Sequence, residues 1–169
     1  MAPAPEPLTL SDQTPAIDSA RGADLDPEVR QFITTVSRAF ASHPDFNDLP
    51  LSEMPRACER VRAPWAAGGP TMAQRQERTV PTPVGEVRVR IHNPSSRANK
   101  PALIYMHGGG WTTFSIDTHD RLMREYAARA DVVVIGVDYA LSPEAKFPVA
   151  QRQIAEVVRW GRRHSEEMG

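Results

Sequence analysis

Three consecutive glycines, Gly108, Gly109 and Gly110, stand between His107 and Trp111, directly after the apolar run Ala102 to Met106. An apolar run that ends in glycines reads as a buried strand leading into a loop where backbone comes close to something. Each glycine loses more conformational entropy on folding than any other residue and offers nothing to pack. A plain connector would therefore combine one glycine with Asn, Asp or Ser. What the run does offer is N–H groups unobstructed by Cβ atoms, which can point at an anion or at charge developing on an oxygen. A neutral imidazole beside backbone groups is read as a brace for the loop, and His107 is assigned that part rather than the part of a base.

Nucleophilic hydrolysis also needs an activated serine, a histidine base and an acid that orients the base. The serine of such a set belongs on a sharp G-x-S-x-G turn between a strand and a helix. None of the serines from Ser11 to Ser165 sits in one. Ser142 is flanked by Pro143 and Glu144, with no base beside it, and reads as a turn hydroxyl. His164 lies among Arg162, Arg163, Glu166 and Glu167 on a solvated helix end. Cys58 shares a face with Met54 and Val61, so it reads as a buried, inert thiol. His92, His119 and Asp120 are too scattered for metal ligation, and neither a phosphate loop nor a dinucleotide fingerprint occurs, so no metal and no cofactor are expected.

The elements that must position the glycines follow from periodicity. Residues 1–24 are rich in Pro, Ala, Ser and Asp and read as a flexible N-terminal arm. Asp26-Pro27-Glu28 gives a cap, a proline at the first helical position and an acid in the first turn, predicting an amphipathic helix over about 27–42 with Val29, Phe32, Ile33, Val36 and Phe40 on its apolar face. A second helix starts at Ser52 and closes at Gly68-Gly69-Pro70. Both are read as core-packing helices, in a segment spanning 25–72. From Gln74 the period becomes two, predicting a hairpin turned at Thr82 to Gly85, with Arg88, Arg90 and His92 on a wet face. After Ala102 to Met106, a helix capped by Asp117 or Thr118 buries Leu122, Met123, Tyr126 and Ala127. Val132 to Val137 is continuously apolar, as in a strand covered on both faces. A last helix after Pro148 presents Ala150, Ile154, Val157, Val158 and Gly161. Strand, helix, strand, helix in that order predicts an α/β fold with parallel pairing over 73–169.

Bulk properties exclude several classes. The 169 residues carry 20 basic and 21 acidic side chains, interspersed, with net charge −1, which argues against nucleic acid as a partner. A single cysteine excludes an internal disulfide and fits a reducing compartment. The start lacks a basic region and is broken by Pro3, Pro5 and Pro7, unlike a secretory signal, and no apolar run is long enough to span a bilayer. A cytoplasmic location is the expectation. The 16 prolines are about twice the usual share and separate short elements, mostly before residue 101.

Taken together, HGGGW at His107 to Trp111 and VDYALSPEAKFP at Val137 to Pro148 resemble the hormone-sensitive-lipase-like (alpha/beta hydrolase fold-3) family of carboxylesterases and lipases. The similarity is densest between Leu103 and Pro148. It implies an α/β-hydrolase fold, here incomplete, with N-terminal cap helices and the first four sheet strands, acting on a small-molecule carboxylic ester. It assigns the N–H groups of Gly109 and Gly110 to the oxyanion hole, His107 and Gly108 to its loop, and Trp111 to the pocket wall. Removing one such donor typically costs about 2.7–4 kcal/mol of transition-state stabilisation. Ala140 stands where the family often has arginine, and Ser142 where it often has alanine, so the loop is expected to lack an ion pair that often fixes it. The nucleophile elbow should follow within a few tens of residues of Trp160. The resemblance therefore implies an N-terminal half, truncated before the elbow and inactive alone. Two alternatives stand beside it: a non-catalytic small-molecule binding module of the same fold, as in a plant hormone receptor of the family, and one half of a split protein. Without the strand that pairs with it in the resembled fold, ALIYM becomes an apolar sheet edge, open to a missing C-terminal half or to self-association.

Overall fold

The computed structural model describes residues 25–42, 48–50 and 52–168, so the reading of 1–24 as an arm lies outside them. The chain divides into two compact units, 1–43 and 44–169. In the first, helix α1 (Pro27–Ala41) starts as the sequence predicts: the Asp26 side chain accepts a hydrogen bond from Glu28 N at 2.8 Å, with Pro27 following the cap. Contrary to its reading as a core helix, α1 has no buried residue.

The second unit holds helix α2 (Met54–Ala66), strands β1 (Gln74–Val80), β2 (Val87–Asn93) and β3 (Ala102–Met106), helix α3 (Asp120–Ala130), strand β4 (Val133–Asp138), helix α4 (Val149–Arg163) and a short α5 (Ser165–Met168). The four strands form one mixed sheet in the order β1-β2-β4-β3. β1 and β2 make the expected antiparallel hairpin, β2 runs antiparallel to β4, and β3 pairs parallel to β4 with Ala102 opposite Val133. A parallel neighbour requires a crossover, and α3 provides it.

β4 is the centre of the packing. Val133, Val134, Ile135 and Val137 are all buried, as a continuously apolar strand covered on both faces requires. On one face Val133, Ile135 and Val137 join Val89, Ile91, Ala150 and Val157 in the larger core, beneath α4. On the other, Val134 packs with Ile116, Met123 and Ala127 beneath α3. Of the stripe expected on α3, Leu122 and Tyr126 are exposed and only Met123 and Ala127 are buried. On α4, Val158 is likewise exposed, and Gln153 takes a buried place instead.

The largest departure from the sequence reading is on β2. Arg90 and His92, expected on a wet face, are 3% and 0% exposed. They are buried because acids meet them. Arg90 bonds Glu77 on β1, Asp117 and Asp120, while His92 Nε2 lies 3.1 Å from Asp120 Oδ1. Arg124 also donates to Asp120 at 2.8 Å. Buried charge survives only where partners and hydrogen bonds replace water, and the Arg90 guanidinium has them on every nitrogen.

Candidate active site

The loop from His107 to Thr113 leaves the carboxyl end of β3 and turns left-handed. Gly109, Gly110 and Trp111 have φ of 126°, 62° and 65°. Two of the three are glycines, for which that region carries no steric penalty; the third, Trp111, costs about 1–2 kcal/mol. The turn closes on a single acceptor. Gly109 O receives Thr112 N and Thr113 N at 3.1 Å each, and the hydroxyls of Thr112 and Thr113 at 3.1 and 3.0 Å. A Cβ on Gly109 would lie 2.1 Å from Thr113 O, so the turn admits only glycine there.

One residue earlier, His107 Nδ1 lies 2.8 Å from Gly108 O. A carbonyl can only accept, so that nitrogen carries the proton. Burial depresses the imidazole's pKa, with the Gly108 carbonyl opposing, so the ring is neutral at pH 7. Its Nε2 is buried and meets no partner among the described residues.

The C=O and N–H of a trans peptide point in opposite directions. With Gly108 O drawn to His107 and Gly109 O drawn to the threonines, the N–H groups of Gly109 and Gly110 are turned away from the loop. Neither donates to an acceptor among the described residues.

A second loop clamps the first. Tyr139, the residue after β4, donates its hydroxyl to His107 O at 2.6 Å and stacks its ring on the imidazole, with centroids 4.2 Å apart and planes 6° apart. Burial pushes the Tyr139 pKa up to about 12, so the hydroxyl keeps its proton. Ser142 N donates to Trp111 O at 2.8 Å, and the Trp111 ring, 42% exposed, leans on Tyr139 at 5.0 Å. The sequence reading expected this segment to lack a fixing ion pair. Among the described residues, no ion pair is formed by 139–147; the strand end before them is held instead at Asp138, which Arg88 on β2 reaches at 2.9 Å while also holding Asp117 at 2.8 Å. The Ala140 N–H donates to Gln153 Oε1 on α4. On helix α2, Cys58 is buried and Glu59 half-buried, and burial raises the pKa of both.

The structure thus brings His107, Gly108, Gly109, Gly110 and Trp111 together around one turn, with Tyr139 of the second motif as a partner, and with Thr112 and Thr113, which motif reading did not single out. Threonines beside a glycine run were the available signal. Ser142 serves the clamp through its backbone, and His92 and Asp120 belong to the buried ion network. His119, half-buried, lies at the start of α3 with its ring 5.7 Å from that of His107.

The sequence pattern of the alpha/beta hydrolase fold matches residues 103–169. Acetyl esterases of Salmonella paratyphi B and Salmonella enteritidis are each 40% identical over 103 residues, which is 61% of this chain and 31% of theirs. An ester hydrolase from the Lake Arreo metagenome superposes with a TM-score of 0.75 at 30% identity, over 85% of this chain and 47% of that one. The hyperthermophilic esterase of Pyrobaculum calidifontis gives 0.74 at 28% identity, over 85% and 45%. The chain has the α/β-hydrolase fold. The four-stranded mixed sheet with helices on both faces is an incomplete version of that fold. The chain spans about a third of the length of the curated relatives it matches, and none of its own serines lies in a G-x-S-x-G turn. No helix among the described residues is long and apolar enough to cross a membrane.

Proposed function

We propose that this chain supplies the oxyanion hole of a carboxylic ester hydrolase, with the N–H groups of Gly109 and Gly110 as donors, His107 and Gly108 fixing the loop and Trp111 walling the pocket. One observation carries the reading: both glycine carbonyls are engaged within the loop, so two adjacent amides stand free at the end of β3. Preorganised donors of this kind stabilise the tetrahedral oxyanion of acyl transfer without reorganising during the reaction. The names of the relatives support an ester, and a short acyl group, as substrate. α2 acts as part of the cap over this site, and the attacking serine comes from polypeptide outside these 169 residues. The lone cysteine, buried and reduced, fits a cytoplasmic enzyme.

The test joins this segment to the polypeptide that carries the serine and follows p-nitrophenyl acetate hydrolysis. Turnover is expected from the joined protein and none from the 169-residue chain alone. Serine-reagent-sensitive turnover by the chain alone, or none by the joined protein, removes the reading.

A further inference from the structure

We infer that the hydroxyls of Thr112 and Thr113 are positioning groups that lock the Gly109–Gly110 peptide with its N–H facing outward, and so set the second oxyanion donor. The inference rests on the functional reading above and extends it to two residues.

The turn contains a conflict that the hydroxyls resolve. Trp111, with a Cβ and φ of 65°, is held in a region that a non-glycine residue leaves readily. If Trp111 relaxes, the peptide planes before it rotate, because two glycines offer no steric resistance. Two backbone bonds to Gly109 O favour the left-handed turn, and every further donor to the same oxygen adds to that preference. The hydroxyls add two further donors to the same oxygen, at 3.1 and 3.0 Å. Thr113 is itself buried, so its hydroxyl is held by the surrounding packing as well as by the loop. Because C=O and N–H oppose each other across the peptide, whatever fixes Gly109 O fixes Gly110 N–H.

The joined hydrolase is compared with T112V, T113V, the double variant, and the T112S and T113S controls. Valine keeps the shape and removes the donor; serine keeps the donor. The double valine variant is expected to lose about tenfold in kcat with KM for p-nitrophenyl acetate unchanged, and the serine variants to retain parental kcat. In protein labelled at glycine with 13C and 15N, the Gly109 carbonyl resonance should move upfield and the Gly110 amide should broaden in the double valine variant. A double variant that melts at lower temperature but keeps kcat, or whose Gly109 and Gly110 resonances stay in place, overturns the inference. Should the parent lack turnover, the esterase reading falls and the two resonances alone decide whether the hydroxyls lock the peptide.

Discussion

Gly109 and Gly110 adjoin in sequence and share a function in the proposed mechanism, yet they answer differently to substitution. At Gly109 an added Cβ meets Thr113 O at 2.1 Å, and φ of 126° suits glycine alone. At Gly110 it meets only Thr112 Oγ1, at 3.9 Å, with φ of 62°. Gly109→Ala must therefore move backbone and is expected to lower kcat at least 100-fold in the joined hydrolase, the typical cost of losing an oxyanion donor. Gly110→Ala should cost about 1 kcal/mol of stability and leave the donor in place. Steady-state kinetics and thermal melts of the pair check this, and equal kcat losses would sink it. His107 and His119 carry the pH dependence at this scale. Burial is the main cause that lowers both below the ordinary 6.5, so the fold favours the neutral rings. Their stabilisation is complete above pH 6.5 and is lost as pH falls through the depressed values. The melting temperature should be flat from pH 8 to 7 and decline toward pH 5, with a shallower decline in His119→Asn. An unchanged slope in that variant would count against the assignment.

At the scale of elements, helix α3 sits directly on β4 because Gly136 has no side chain. A Cβ there would approach Met123 Sδ to 2.3 Å. Gly136→Ala is expected to destabilise by about 1–3 kcal/mol, the usual cost of overpacking, and Met123→Ala should relieve part of it. A double-mutant cycle in urea measures the coupling, and simple additivity would refute the contact. The same pair shows what periodicity can and cannot convey. VVVIGV announced a strand covered on both faces, and the helix before it was legible, but a glycine inside a strand did not say that a methionine fills its place. The alternation on β2 was read correctly as a strand and wrongly as half wet. Arg90 and His92 are buried by Glu77 on β1, Asp120 on α3 and Asp117 in the loop before α3, acids whose joint approach no local pattern encodes. At the site, HGGGW disclosed the free amides. It did not disclose the Tyr139 clamp, which depends on the carboxyl ends of β3 and β4 lying side by side.

At the scale of the molecule, the sheet has one open side of consequence. β3 pairs only with β4 among the described strands, so one row of its backbone groups is unpaired. Leu103 and Met106 on it are 40% and 51% exposed. An apolar groove runs along this edge, lined by Ala102, Ile104, Ile135, Val158 and Gly161. The strand offers none of the usual protections: no proline, no bulge, and no charged side chain between Ala102 and Met106. Such an edge recruits another strand, and in the 169-residue chain by itself the available strand is that of a second copy. The chain should sediment as concentration-dependent oligomers. Leu103→Lys, which places a charge on the edge without touching the buried core, should shift it toward monomer while leaving the melting temperature within about 2 °C, as surface substitutions usually do. If the parent is a monomer at every concentration reached, or if the lysine leaves the oligomers intact, association does not run through β3.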